Sequence, residues 1–235
     1  MASPGARILK VGSFRPVLFS LRPLFLMWVL LLLQPSGLMA EEIPTLAVYP
    51  FWAERGGDPE KGVLCPVCRG IHPRGELSPG APHTLTQALY EKMERQASFK
   101  MIPLEQVEAA LSDLGKRPFE NQSASSALLV GKTRNADFVM VGIVFRFEER
   151  KGSSIGVEKP ASVGFDLHLF RVNDGKRVWD VRFDETQRPL SENLFQVGSF
   201  FRRKAKWLTA EELAEVGMEE QLQKLPGAKE LLDKP

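Results

Sequence analysis

The apolar positions between Ala136 and Thr186 fall into three runs rich in β-branched and aromatic residues, separated by polar segments that contain glycine. Phe165, Leu167 and Leu169 alternate with Asp166, His168 and Phe170. That period of two predicts a strand. A further run through Val178 and Val181 predicts another. Asn173-Asp174-Gly175 joins the two, and a tight hairpin turn needs residues that tolerate positive φ. The centre of the chain therefore reads as a meander of three antiparallel strands.

The flanking pattern supplies the other elements. Thr45–Phe51 is an apolar run that predicts a buried first strand, ended at Pro50 or soon after. Leu85, Leu89 and Met93 share one face of a helix over 84–97, with Thr84 or Thr86 as its cap. A short strand over 99–103 precedes a helix over 104–114 that Gly115 ends. Ser123 or Ser125 opens another helix, running to Thr133. Residues 190–201 read as a helix or a connection. From Trp207 to Pro226 the spacing is amphipathic, and Thr209 with Glu212 forms a capping box. The order β-α-β-α-α-β-β-β-α predicts an α/β fold: a single mixed sheet with helices packed on it and an antiparallel meander in its C-terminal half.

Two stretches depart from this regularity. From 53 to 82 glycine and proline dominate, which predicts a long irregular insertion loop, and loops of that length are commonly functional. The start differs in another way. Residues 1–22 carry Arg7, Lys10, Arg15 and Arg22 without an acid, an apolar run fills 23–33, and Ala40 precedes Glu41-Glu42. This is the pattern of a secretory signal peptide over 1–40, cleaved after Ala40, and the run is too short to span a bilayer. The expected organisation is then a single domain over 41–226, with 227–235 as a frayed tail.

Export changes the charge balance. The chain has 31 basic and 29 acidic residues. Four of the basic ones lie within 1–40, so 27 face 29 afterwards, a net charge of −2. The basic balance belongs to the signal, and no nucleic-acid partner is implied.

Several short motifs resemble one known group. They are TLAVYPF at 45–51, FKMIP at 99–103, LEQVEAAL at 104–111, Ala136-Asp137-Phe138-Val139 with Gly142 beyond it, and FDLHLFRVNDGKRVW ending at Trp179. Together they resemble the bacterial envelope family that includes CsgG, LpoB and the TolB amino-terminal domain, over roughly Thr45 to Phe183. The resemblance implies a periplasmic, non-catalytic binding or accessory domain for an outer-membrane, secretion or wall-synthesis machine, with envelope proteins as partners. It leaves self-association and peripheral membrane contact open. Two features differ from the pore-forming members. There is no lipidation cysteine at the junction, and Glu148-Glu149-Arg150-Lys151 with Glu158-Lys159 would put charge at membrane depth in the first hairpin.

Cys65-Pro66-Val67-Cys68 is the one motif with evident chemistry. With His72 and His83 it reads C-x2-C-x3-H-x10-H, a set that could hold zinc. The spacing of the two histidines matches no standard site. An oxidising compartment favours a Cys65–Cys68 disulfide over metal, and metal over thiol redox chemistry. Thiol-redox or metal handling is therefore the rival function. His168 reads as a solvent-facing or structurally bonded residue. Ser153, Ser154 and Ser191 lack a base in an organised motif. Arg202, Arg203, Lys204 and Lys206 beside Trp207 read as the solvated start of the last helix more readily than as a lipid contact.

Overall fold

The computed structural model describes residues 42–56, 61–115, 123–188 and 206–234. Residues 1–40, expected to be a signal peptide, the 190–201 connection and most of the basic cluster at 202–206 lie outside these residues.

Five strands form one mixed sheet in the order β4-β1-β5-β8-β9. β1 (Thr45–Ala53) runs parallel to β4 (Lys100–Met101) and to β5 (Phe138–Glu148). β5, β8 (Ser162–Arg171) and β9 (Arg177–Thr186) are antiparallel neighbours. Asp137 fixes the parallel register at the strand entry. Its Oδ2 accepts from Thr45 N at 2.7 Å and from Thr45 Oγ1 at 2.8 Å. The β8–β9 turn places Gly175 at φ +70°, a backbone angle that few side chains accept. Gly142 has a different reason. A Cβ there would lie 2.3 Å from the Phe51 ring, which packs flat on that point of β5.

Four helices, α1 (Ala81–Gln96), α2 (Leu104–Asp113), α3 (Ala124–Thr133) and α4 (Ala210–Leu222), cover the sheet. Because side chains alternate along a strand, each strand feeds both faces. Leu46, Val48, Phe138, Met140, Phe165 and Leu167 meet Leu85, Leu89 and Met93 of α1 and Leu213 and Met218 of α4. Ala47, Tyr49, Val139, Val141 and Ile143 meet Val107 and Leu111 of α2 and Ala127 and Val130 of α3. Each such Leu, Val or Phe, fully buried, contributes about 1.5–3 kcal/mol.

The termini of the helices show where sequence spacing misleads. α1 begins at Ala81, with Pro82 in its first turn, so neither Thr84 nor Thr86 caps it. Thr86 is buried instead: its Oγ1 donates to Pro82 O at 2.7 Å and accepts from Phe51 N at 2.9 Å. Ser123 caps α3 as expected, and Thr209 with Glu212 completes the capping box of α4. Past Pro226 the chain does not fray. Ala228–Asp233 forms α5, whose Leu231 is fully buried. Arg171 donates to the carbonyls of Leu231, Leu232 and Lys234 there.

The 53–82 segment is ordered where it is described. It contains a two-stranded ribbon, β2 (Val63–Leu64) with β3 (Ile71–His72), and a bridge from Leu77 to Phe147 of β5. Val63 and Cys65 join the same apolar cluster as α2 and α3, so this segment covers part of that face of the sheet. A second ribbon, β6 (Lys151–Gly152) with β7 (Val157–Lys159), extends the β5–β8 connection. No helix of the described residues is long and apolar enough to cross a membrane.

Candidate metal centre

Asp166 and His168 stand on the face of β8 that the insertion loop covers. Their neighbours across β5 are Ile143 and Val141, and across β9 Arg182 and Asp180. The loop brings three more donors down onto them. In the β2–β3 ribbon, His72 pairs with Val63, and both point inward. The His72 ring stacks on Phe145 of β5, with centroids 3.7 Å apart and planes 10° from parallel. Its Nε2 lies 2.8 Å from Asp166 Oδ2, and both side chains are essentially without solvent exposure.

Between the ribbon strands, Cys65-Pro66-Val67-Cys68-Arg69-Gly70 turns back tightly. Cys65 N donates to Gly70 O at 2.8 Å and Arg69 N donates to Cys65 O at 3.0 Å. Arg69 takes φ +66° to close the turn. Both sulfurs receive backbone amides: Cys68 N donates to Cys65 Sγ and Gly70 N to Cys68 Sγ, each at 3.4 Å. Two arginines of β9 hold the loop's carbonyls, Arg177 that of Val67 and Arg182 that of Ile71, both at 3.1 Å.

The sulfurs then reach the strand. Cys65 Sγ is 3.3 Å from His168 Nε2, and Cys68 Sγ is 3.4 Å from Asp166 Oδ2. Arg182 Nε sits 3.5 Å from Asp166 Oδ1. The ligand atoms of Cys65, Cys68, Asp166 and His168 all lie within 4.8 Å of one another. The two sulfurs are not bonded to one another in this arrangement. Of the predicted set, the structure gathers Cys65, Cys68 and His72 at one place. It leaves His83 on the exposed face of α1, outside the cluster.

Electrostatics follow from burial. Desolvation pushes the Cys65 thiol up to about 12, although the amides of Cys68 and Val67 favour its thiolate. Burial pushes His168 down to about 4, against the pull of Asp166, so its imidazole is neutral near pH 7. Burial works to raise Asp166, but the hydrogen bond from His72, aided by the weaker one from Cys65, outweighs it. The carboxyl is held below its ordinary value.

Asp166 and His168 were missed as members of a site. The signal was present: both are polar positions on a strand face whose neighbouring positions, Val141, Ile143 and Phe145, are apolar. A polar pair in a buried, otherwise apolar layer needs a partner. Another pattern has the opposite outcome. Gly152-Ser153-Ser154-Ile155-Gly156 has G-x-S-x-G spacing, yet it forms the exposed turn between β6 and β7, not a strand-to-helix elbow. Ser153 only closes that turn, with its N donating to Gly156 O at 2.7 Å.

Neither a family model nor a curated protein matches the chain. Solved structures do. The LpoB C-terminal domain from Salmonella enterica is 16% identical, with 68% of this chain and 93% of that chain covered and a TM-score of 0.40. The PelC dodecamer from Paraburkholderia phytofirmans is 14% identical, covering 76% and 84%, with a TM-score of 0.41. Lipoprotein GNA1162 from Neisseria meningitidis is 11% identical, covering 69% and 94%, with a TM-score of 0.43.

Proposed function

We propose that this protein is an exported, non-catalytic binding protein that assists the assembly or function of a bacterial cell-envelope machine. The observation that carries the reading is where the chemistry lies. Among the described residues, Cys65, His72, Asp166 and His168 are sealed between loop and sheet, the last three at 0%, 2% and 1% side-chain exposure, while Cys68 at the rim is partly open. A turnover site must admit substrate, whereas a cluster so largely closed is suited to holding a surface in shape.

The surface so held is the outer side of the β2–β3 ribbon. Leu64 and Ile71 are direct cross-strand partners and are 38% and 60% exposed, while Val63 and His72 anchor the ribbon beneath them. An apolar pair on a rigid loop is suited to protein contact. The export pattern at 1–40 and the motif resemblance support an envelope location.

The experiment is crosslinking in intact cells followed by mass spectrometry, with Ile71→Asp as the comparison. Reproducible capture of an envelope protein by the wild type, lost in the variant, supports the reading. Capture of oxidoreductases alone, linked through Cys65 or Cys68, would replace it with the thiol-redox reading. Thiol exchange proceeds through an accessible thiolate, so that alternative would have to start at the partly exposed Cys68, since Cys65 is buried.

A further inference from the structure

We infer that Cys65, Cys68, Asp166 and His168 bind one zinc ion, which pins the insertion loop to the sheet. Two thiolates, an imidazole and a carboxylate are a donor set that suits tetrahedral zinc. With zinc–sulfur bonds near 2.3 Å and zinc–nitrogen or zinc–oxygen bonds near 2.0 Å, the edges of such a tetrahedron are about 3.3–3.8 Å. The edges here are 3.3 Å for Cys65 Sγ to His168 Nε2, 3.4 Å for Cys68 Sγ to Asp166 Oδ2, and 3.9 Å for His168 Nε2 to Asp166 Oδ2. The two sulfur edges match those of the tetrahedron, and the nitrogen–oxygen edge is about half an ångström too long for two 2.0 Å bonds. All six edges lie within 4.8 Å, so binding an ion draws the four groups slightly inward.

The surroundings suit the charge. Amide N–H groups aimed at both sulfurs stabilise thiolates, the form that binds metal. Two thiolates, one carboxylate and a zinc ion sum to −1, and the Arg182 guanidinium beside Asp166 offsets that charge. His72 contacts Asp166 Oδ2, and its stack on Phe145 fixes the ring, so it is a positioning residue that orients the carboxylate. His83 has no part in the site. With four protein ligands and little exposure, the centre is structural, with no coordination position for a substrate.

The site stands apart from the binding reading, since a partner could be held with or without an ion. It is tested on the full chain, exported and purified without chelator, by elemental analysis and by a thiol count after denaturation. The expected result is one zinc per chain and two reactive thiols. Cobalt(II), added after zinc removal, should give thiolate-to-metal absorption. His168→Ala and Asp166→Ala should weaken zinc binding, and His72→Ala should weaken it by about 10–100-fold. His83→Ala should leave it unchanged. Should a variant fold poorly, the wild type alone decides: zinc added to its metal-free form should raise Tm. A folded wild type with no bound metal and no response to zinc or cobalt overturns the inference. So does a quantitative Cys65–Cys68 disulfide in the exported protein, or zinc binding that depends on His83 and not on His168.

Discussion

His72 in the insertion loop and Asp166 in β8 lie 94 residues apart in sequence and meet through Nε2 and Oδ2 at 2.8 Å, out of contact with solvent. This pair converts a glycine- and proline-rich segment into a fixed part of the sheet's surface. Removing one member takes a buried hydrogen bond from the other, which typically costs about 1–3 kcal/mol. His72→Phe, which keeps an aromatic ring over Phe145, should therefore destabilise the protein nearly as much as His72→Ala. The double change with Asp166→Leu should recover part of the loss. Denaturant unfolding of the four proteins as a cycle measures the coupling. Additive effects would show that the pair does not hold the loop.

The Phe51 ring occupies the place of a side chain at Gly142. Gly142→Val should cost about 1–3 kcal/mol through overpacking. Shortening the ring with Phe51→Leu in the same chain should return some of that cost, as read from the shift in Tm.

The C-terminal turn is a structural element. Deleting residues 227–235 removes Leu231 from the core and strips Arg171 of three carbonyl acceptors. Loss of the Leu231 contact alone should cost about 1.5–3 kcal/mol. A truncated protein as stable as the full chain would contradict the packing described here.

Arg171 also holds Asp174 at the hairpin turn and lowers its carboxyl to about 2, from 3.8. A depressed carboxylate contributes stability that is fully present above its ordinary value and is lost as pH falls through the folded one. Asp174→Asn should therefore lower Tm at neutral pH. The gap from wild type should close as pH falls from about 4 to about 2. A gap that stays constant across that range would assign the effect to the turn's shape, not to the ion pair.

Much of the fold was legible because local rules agreed with the tertiary outcome. The Phe165–Leu169 alternation, the Asn173-Asp174-Gly175 turn and the Thr209–Glu212 box each specify their element within a few residues. Thr86 was misread because a buried hydroxyl bonded to Phe51 N resembles a cap in sequence. The tail was misread because Leu231 is buried only once Arg171, 60 residues earlier, gathers its carbonyls. The site was half legible. Cys65, Cys68 and His72 are close in sequence and were found together. Asp166 and His168 join them only through the way the loop lies on β8, and no spacing rule spans that distance. His83 shared a spacing pattern with the others but sits on a different surface.

The central claim is that a loop fixed by its buried polar cluster presents Leu64 and Ile71 to an envelope partner. The most direct measurement places a photo-crosslinking residue at position 64 or 71 of the exported protein in living cells. The account predicts one discrete envelope protein captured from both positions, and none from an exposed position elsewhere, such as Lys132. Equal yields from all three positions, or capture only through Cys65 and Cys68, would contradict it.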